Sequence, residues 1–383
     1  MLQVPDWKLR LRGEVLEREA LPALAPAWDD LCARAIEDNV YYSPRYARAL
    51  IDNIERTPSL RFAAVWQGPK LIALLPFTRS KIALPFFGTA ARAWQTDYTF
   101  GCTPLLERAY SAEAAAGLID LLSTINEGEW IIPTVNAQGA ACRAMIEALE
   151  KDDRPWQISN AFQRATLEPG DSFDGHMRTY LSSKRRRELA RNRRRLEEIG
   201  KVAYESHRAG DGLTRAVEAF LKIEASGWKG QRGTALACLP ETRQFALDAF
   251  IGGAADSICR ADVLTLNGTS IAVSLTAFAG GTGFTVKCTY DEAYQAYSAG
   301  LLLEVEVIRS FLTERWARRL DAATAGAHVI DRLWPGRTEV ADLMFTLAPR
   351  HAPLRLSALA RAVHANRAAK TAVKALVARV TAD

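Results

Sequence analysis

Ala261-Asp-Val-Leu-Thr-Leu-Asn-Gly-Thr-Ser-Ile-Ala-Val-Ser-Leu-Thr-Ala277 is the stretch from which the fold can be read. Two apolar runs flank Asn267-Gly268, and both turn residues tolerate the positive φ that a tight hairpin requires. The pattern predicts strands over 261–266 and 271–277. A third strand follows at Gly283-Phe-Thr-Val-Lys-Cys-Thr-Tyr290. After the polar loop from Asp291 to Ser298, Gly300 opens an apolar helix over 301–312. Upstream, 201–207 reads as a strand after Gly200. Residues 213–228 read as a helix with Val217, Phe220, Leu221 and Trp228 on one stripe, and 241–254 as a second helix stopped by Gly252-Gly253. Downstream, 319–324 reads as a strand ending near Gly326, and 340–347 as a last strand. This order predicts a mixed α/β layer around a mostly antiparallel sheet.

The first half repeats much of that order. Residues 9–16 are strand-like, 28–35 and 46–54 helical, and 62–66 pairs with 71–77 across Gln67-Gly68. A helix over 112–125, a strand over 130–135, a helix over 140–149 and a strand over 156–166 follow. Gln67-Gly68 falls 200 residues before Asn267-Gly268, and Ala109-Tyr-Ser-Ala112 matches Ala296-Tyr-Ser-Ala299 ahead of each long helix. Order and landmarks in register predict a tandem repeat of one fold. Glu168-Pro-Gly-Asp-Ser172 has linker chemistry.

A chain of 383 residues with 49% hydrophobic and 24% charged residues has globular composition and is long enough for about two domains. No apolar run reaches the ~18 residues of a membrane span. The start, Met1-Leu-Gln-Val-Pro-Asp-Trp-Lys8, lacks a basic region followed by an apolar one, so the expected location is the cytoplasm. Six scattered cysteines and five scattered histidines predict no zinc site and no disulfide framework. The net charge of +5 is local in origin. Residues 178–195 carry nine Arg or Lys against Glu188 alone, and 343–383 carry seven against Asp383 alone. Two basic segments on an otherwise acidic chain are candidates for a polyanion or for the inner face of an anionic membrane.

The element order resembles the GNAT acyltransferase fold, and two such units in one chain resemble the FemAB-like transferases, in particular their CelD-like acetyltransferase branch. The residues that carry the resemblance are the basic helix Leu181-Ser-Ser-Lys-Arg-Arg-Arg-Glu-Leu-Ala-Arg-Asn-Arg-Arg-Arg195, Ala225-Ser-Gly-Trp-Lys-Gly230, and Val286-Lys287 leading to Tyr290-Asp291-Glu292. Tyr297-Ser-Ala-Gly300 and Leu320-Asp321 with Gly326 complete the set. The match spans about 172–347 and is weak over the first half. Ala299 stands where the family usually has Pro, which weakens pre-organisation of that turn. The resemblance implies a GNAT-like domain over 1–168, a GNAT-like acyltransferase domain over 169–350 opened by a basic helix at 181–199, and a basic amphipathic helix over 351–383. It implies acetyl-CoA as acyl donor and an amine or hydroxyl of a cell-envelope or exopolysaccharide precursor as acceptor. Charged tRNA, the donor of the FemAB relatives, is the alternative. A catalytically inactive scaffold in polysaccharide assembly is the reading from another class.

Such a transferase must hold a pyrophosphate, align a thioester and take a proton from the acceptor. Ser298, Ala299, Gly300 and Leu301 form a helix start whose amides and dipole suit the pyrophosphate. Glu224 lies on the stripe of Val217, Phe220, Leu221 and Trp228. It reads either as a general base or as an ion-pair partner of Lys222 or Lys229. Trp228 and Lys229 read as substrate contacts or as a core anchor before a Gly230 cap. Lys287 suits an anionic acceptor or a polarised carbonyl. Tyr290, Asp291 and Tyr297 lie beyond it, where a tyrosine suits protonation of a departing thiolate. Asp321 is an acceptor-binding carboxylate or an N-cap. Arg185 and Arg186 represent the basic helix, whose cations suit tRNA, CoA or lipid phosphates. It has no aromatic interleaving and no helix-turn-helix pattern, which argues against sequence-specific DNA binding. His328 has no partner at recognisable spacing and reads as a surface residue. Over 354–380, Leu356, Leu359, Val363, Val373, Leu376, Val377 and Val380 form a stripe that suits a membrane surface or packing on the body or on a second subunit.

Overall fold

The computed structural model describes residues 11–81, 89–126, 128–170, 172–252, 257–324, 329–347 and 356–365. Along the chain run β1 (Leu11–Leu16), α1 (Leu21–Arg34), α2 (Pro44–Asn53), β2 (Arg61–Gln67), β3 (Lys70–Lys81), β4 (Thr89–Ala93), β5 (Leu105–Leu106), α3 (Ser111–Ile125), β6 (Glu129–Asn136), α4 (Ala140–Lys151) and β7 (Trp156–Leu167). The second half continues with α5 (Phe173–Tyr180), α6 (Ser183–Glu197), β8 (Val202–His207), α7 (Gly210–Ser226), α8 (Trp228–Gln231), α9 (Pro240–Phe250), β9 (Cys259–Leu266), β10 (Thr269–Ala279), β11 (Thr282–Tyr290), α10 (Ala299–Glu314), β12 (Arg319–Asp321) and β13 (Gly336–Thr346).

These elements form two compact units that are discontinuous in sequence. The first comprises the described residues of Met1–Asn39, Thr57–Phe162 and Glu339–Asp383, and the second those of Val40–Arg56 and Gln163–Thr338. The contiguous division expected from the sequence, with boundaries at 168 and 350, therefore differs from the units the backbone forms. The reason is an exchange: α2 packs with the second unit, where Tyr46 meets Phe245 and Phe250 edge to face. Residues 168–172 lie inside that unit.

In the first unit β1 to β4 are successively antiparallel, β6 joins β4 in parallel, and β13 closes on β6 antiparallel. In the second, β8 to β11 are successively antiparallel, β12 joins β11 in parallel, and the end of β7 closes on β12 antiparallel. Each sheet thus contains a hairpin, a third antiparallel strand, a helix and a parallel strand, in the same order. β4 escaped the sequence reading because Thr89-Ala-Ala-Arg-Ala93 has no alternation of large apolar residues.

The Asn267-Gly268 turn forms as its residues dictate, with φ of 51° and 79°. Behind it, Leu302, Leu303, Val307, Ile308 and Phe311 of α10 bury against Leu264, Leu266, Ile271 and Ala272. Completely burying an aliphatic side chain contributes about 1.5–3 kcal/mol, so this cluster fixes α10 on the sheet. The helix expected over 213–228 ends earlier: α7 stops at Ser226, and Trp228 begins α8 after an extended Gly227. Trp228-Lys229-Gly230 is thus a helix start and not the Gly cap of α7. The strand expected over 319–324 ends at Asp321, and Ala323 turns with φ of 52°. Residues 356–365 are helical, and Leu356 and Leu359 pack on Ile131 and Met344 of the first unit. Gly326, His328 and the stripe from Val373 to Val380 lie outside the described residues. Among the described residues no helix is long and apolar enough to cross a membrane.

Candidate functional site

β11 and β12 pair in parallel over three positions only, Thr282 with Arg319, Gly283 with Leu320 and Phe284 with Asp321. A Cβ on Gly283 would meet Leu320 Cδ2 at 2.8 Å and Thr276 Cγ2 at 2.9 Å, so glycine permits this close approach. Beyond Phe284 the pairing ceases. β11 bulges there as well: Leu275 faces Lys287 and Thr276 faces Thr285, leaving Val286 as the extra residue. Between residues 285–290 and 322–324 opens a cavity of about 620 Å³. That volume is in the range of small-molecule sites.

The start of α10 stands at this cavity. Ser298 adopts the left-handed conformation, with φ of 57°, and reverses the chain into the helix. The N–H groups of Leu301 and Leu302 both donate to the Ser298 carbonyl, so the Ala299 and Gly300 amides are left at the open end of the helix. Gly300, Leu301 and Ser298 line the cavity. A Cβ on Gly300 would lie 3.1 Å from the Tyr290 ring, so glycine keeps the helix end and the strand end together. Asn192 of α6 donates to Ser298 Oγ at 3.2 Å, and the Arg195 guanidinium lies over the Tyr297 ring at 5.2 Å.

The opposite wall comes from α7 and α8. Glu224 is buried, and both its oxygens are engaged: Lys229 Nζ donates to Oε1 and Leu236 N–H to Oε2, each at 2.8 Å. This is the ion-pair alternative of the two readings. A carboxylate so occupied holds Lys229 and the Leu236 segment in place. Trp228 is 52% exposed beside it, with Arg232 over its ring, and is no core anchor. Its N–H donates to Glu292 Oε1 at 2.9 Å, which ties the loop after β11 to the start of α8.

Glu224, Trp228, Lys229, Lys287, Tyr290, Ser298, Gly300 and Leu301 all line the cavity. The remaining candidates do other things. Asp291 caps the short helical turn after it, accepting from Ala293 N–H at 3.0 Å. Asp321 accepts from Ala323 N–H at 2.8 Å and lies 3.6 Å from the Arg164 guanidinium, so it shapes the turn behind β12. Ala299 is in the core, and Tyr297 packs against that core beneath Arg195. Arg185 pairs with Glu188 within α6, and Arg186 donates to the Met177 carbonyl.

Among the lining residues that were not singled out from the sequence, Glu304 and Cys288 bear on the chemistry. Glu304 lies one turn beyond Gly300 on the same face of α10, and burial pushes its carboxyl up to about 8, with the nearby Asp262 charge adding to the rise and the Trp334 hydrogen bond opposing it. Trp334 Nε1 donates to its Oε1 at 2.8 Å. Glu304 falls within the run 301–312, which the sequence presents as an apolar helix. The available signal was its i,i+4 spacing from Gly300. Cys288 opens on the cavity, yet the protein around it, then the Glu304 charge, raises its thiol above the ordinary range. It is therefore a poor thiolate nucleophile at neutral pH. Among the described residues no group of His, Cys, Asp and Glu is placed to hold a metal ion.

Residues 183–329, which include α6, the cavity and α10, match the family model described as Acetyltransferase (GNAT) domain. No curated protein matches the chain. Among solved structures, the C-terminal domain of a protein named as a lysylphosphatidylglycerol synthetase from Agrobacterium fabrum aligns at a TM-score of 0.54 with 10% identity, over 90% of this chain and 96% of that one. FemX aligns at 0.55 with 11% identity, over 86% and 96%. L-PGS from Bacillus licheniformis aligns at 0.50 with 13% identity, over 91% and 98%. These likenesses establish a shared fold across most of the chain.

Proposed function

We propose that the protein transfers an acyl group from acyl-CoA, with acetyl-CoA the first donor to test, to an amine or hydroxyl of a cell-envelope or exopolysaccharide precursor. The observation that carries this is the parting of β11 from β12 beside the start of α10. Two strand edges that have lost each other as partners present N–H and C=O groups to an extended, amide-bearing arm such as pantetheine. The Ala299 and Gly300 amides, at the positive end of a 16-residue helix, suit the pyrophosphate at the outer end of that arm. The match of residues 183–329 to a GNAT acetyltransferase domain supports the same assignment.

The acceptor enters from the wall of Trp228, Lys229 and Lys287. Lys229, held by Glu224, and Lys287 favour an acceptor bearing an anionic group, and Trp228 offers an exposed face for a sugar ring or an aliphatic chain. Direct attack within a ternary complex needs no enzyme nucleophile, in keeping with the raised Cys288 thiol.

A second reading has one observation in its favour. Lys184, Arg187, Arg191 and Arg194 form an exposed stripe along α6 at three- and four-residue steps, and none is in an ion pair among the described residues. Such a row suits the phosphates of aminoacyl-tRNA or of an anionic lipid surface. One of the similar structures is named for lysyl transfer to phosphatidylglycerol, a reaction of that kind.

Calorimetry with CoA, acetyl-CoA and aminoacyl-tRNA presented in parallel tests both. Micromolar to sub-millimolar CoA binding is expected. Binding of tRNA without CoA would move the assignment to the second reading. Binding of neither at millimolar CoA would leave an inactive scaffold.

A further inference from the structure

Behind the cavity lies a run of buried polar atoms that have no partner among the described residues: Ser274 Oγ, Thr276 Oγ1, Thr285 Oγ1 and Asp262 Oδ2. They are neighbours by register. Asp262 on β9 faces Ser274 on β10, and Thr276, two residues on and on the same face, faces Thr285 on β11. Directly opposed residues of an antiparallel pair place their Cβ atoms about 4.5–5.5 Å apart, and i,i+2 neighbours lie about 7 Å apart. The four side chains therefore occupy neighbouring register positions on one face of the sheet, a polar seam between apolar neighbours. Ser274 and Thr285 line the cavity itself, together with Glu304. Asp262 and Thr276 are completely buried.

Unpaired buried polar atoms are rare, and three hydroxyls with one carboxylate oxygen at neighbouring register positions mark a place where bound water completes the hydrogen bonding. The far end of the seam is anchored. Asp262 Oδ1 accepts from Tyr204 Oη at 2.6 Å and from Arg260 Nε at 2.9 Å, and Arg260 in turn donates to Ser310 Oγ of α10 at 2.8 Å. Oδ2 is thus the Asp262 oxygen left for the seam. At the near end, Glu304 accepts from Trp334 through Oε1 and lines the cavity. Asp262, paired with Arg260 on β9, acts on Glu304 directly, and Glu304 acts in turn on Cys288 of β11, which Lys229, Lys287 and Glu224 also reach. Burial favours the acid form of Glu304 and likewise raises the Asp262 carboxyl, where the Arg260 guanidinium and the Tyr204 hydrogen bond work the other way.

Resting on the acyl-CoA reading, we propose that Glu304 is the acid that protonates the departing thiolate, and that a file of bound water on Ser274, Thr276 and Thr285 couples it to Asp262. When the tetrahedral adduct collapses, the carbon–sulfur bond breaks, its electron pair goes to sulfur, and the Glu304 proton follows. The proton that the acceptor nitrogen or oxygen sheds in forming its bond to the acyl carbon restores the Glu304 carboxyl. No proton is gained or lost over the cycle. Glu304 is the catalytic residue here, and Asp262 is a positioning residue that acts through it.

The test uses the full chain with Glu304→Gln, Asp262→Asn and Ser274→Ala, the last of which leaves the Asp262–Arg260 pair intact should Asp262→Asn fail to fold. CoA affinity by calorimetry, free-thiol release from acetyl-CoA between pH 6 and 10, and the infrared band of a protonated carboxyl are measured for each. The expected result is CoA affinity within about threefold of the parent in all variants. Parent thiol release should decline above about pH 8. Glu304→Gln should be slower by 10²-fold or more with no such decline, because general acid–base catalysis typically contributes ~10²–10⁴. Ser274→Ala should shift the midpoint of the decline, as should Asp262→Asn, which moves it toward lower pH. The infrared band should be present in the parent at pH 7 and absent in Glu304→Gln. A parent that binds no CoA overturns the donor assignment while the band still reports on Glu304. A missing band, or a Glu304→Gln variant with the parent's pH profile, overturns the proposal even if CoA binds.

Discussion

Lys229 Nζ donates to Glu224 Oε1 at 2.8 Å across the turn between α7 and α8, joining a carboxylate that is almost wholly buried to an ammonium that still reaches the cavity. Glu224 also receives the Leu236 N–H, so one carboxylate fixes both the cationic wall of the site and the segment that follows it. Glu224→Ala would leave a buried N–H without an acceptor and Lys229 without its partner. A loss of about 2–4 kcal/mol is expected, read as a lowered urea midpoint. Lys229→Met keeps much of the aliphatic stem but leaves the buried Glu224 carboxylate with the Leu236 N–H alone, so a loss of about 1–3 kcal/mol is expected here too. A midpoint for Glu224→Ala within error of the parent would show that the pair is not formed in solution.

Gly300 is set against Tyr290 at the edge of the site. In Gly300→Val the first added carbon would meet the ring at 3.1 Å, and the branched carbons beyond it would crowd the open amides at the start of α10. CoA affinity is expected to fall about tenfold or more, equivalent to ~1.4 kcal/mol. The fold should survive, because the helix is held by its buried Leu302, Leu303 and Ile308 further along. Calorimetry against CoA and a thermal melt measured together check this. Unchanged affinity would move the phosphate site away from α10.

The hairpin at Asn267-Gly268 and the helix behind Gly300 were legible because local rules decide them: a turn that needs positive φ, and a run of apolar residues at helical spacing. Of the eight cavity residues recovered from the sequence, Lys287, Tyr290, Ser298, Gly300 and Leu301 lie where β11 ends and α10 begins, and Glu224, Trp228 and Lys229 come from the end of α7 and the start of α8. Asp291 and Asp321 cap turns beside the cavity, and for Asp321 this is one of the two readings the sequence left open. A carboxylate at the end of a strand serves equally well as a ligand or as a cap for the next turn, and only the positions of Ala293 and Ala323 N–H decide. Glu304 was hidden because its role depends on Asp262, Ser274 and Trp334, which are far away in sequence. The exchange of α2 between units is likewise set by the Tyr46, Phe245 and Phe250 contact, which no local pattern announces.

His176 links α5 to the loop before β13 through its Nε2, which donates to the Leu333 carbonyl at 2.9 Å in the matching tautomer. Burial lowers its pKa from the ordinary value of 6.5, and the hydrogen bond to Leu333 works the other way. The folded protein therefore holds the ring neutral at a pH where the unfolded chain begins to protonate. The stabilisation is present above about 6.5 and is lost as pH falls through that value. His176→Gln retains a side-chain donor but does not titrate in this range. Between pH 7.5 and 5.5 the parent's urea midpoint should fall further than the variant's, and parallel lines would show that the ring is accessible to solvent protons in the fold.

Asn192 is the single buried polar side chain of α6, and it spends its amide on Ser298, the left-handed residue from which α10 begins. A residue with φ of 57° that is not glycine carries backbone strain, so an outside hydrogen bond that fixes its orientation contributes to both stability and geometry. Asn192→Leu fills the volume yet removes the donor, with an expected loss of about 1–2 kcal/mol. Its second effect separates this residue from an ordinary core position. With Ser298 released, the Ala299 and Gly300 amides are no longer held open, and CoA affinity should drop by about threefold to tenfold, ~0.7–1.4 kcal/mol. Asn192→Asp should behave in between, because its carboxylate can accept from the Ser298 hydroxyl but sets a negative charge near the phosphate site. Stability that falls without any change in CoA affinity would mean that α6 braces the core alone and that the start of α10 keeps its shape unaided.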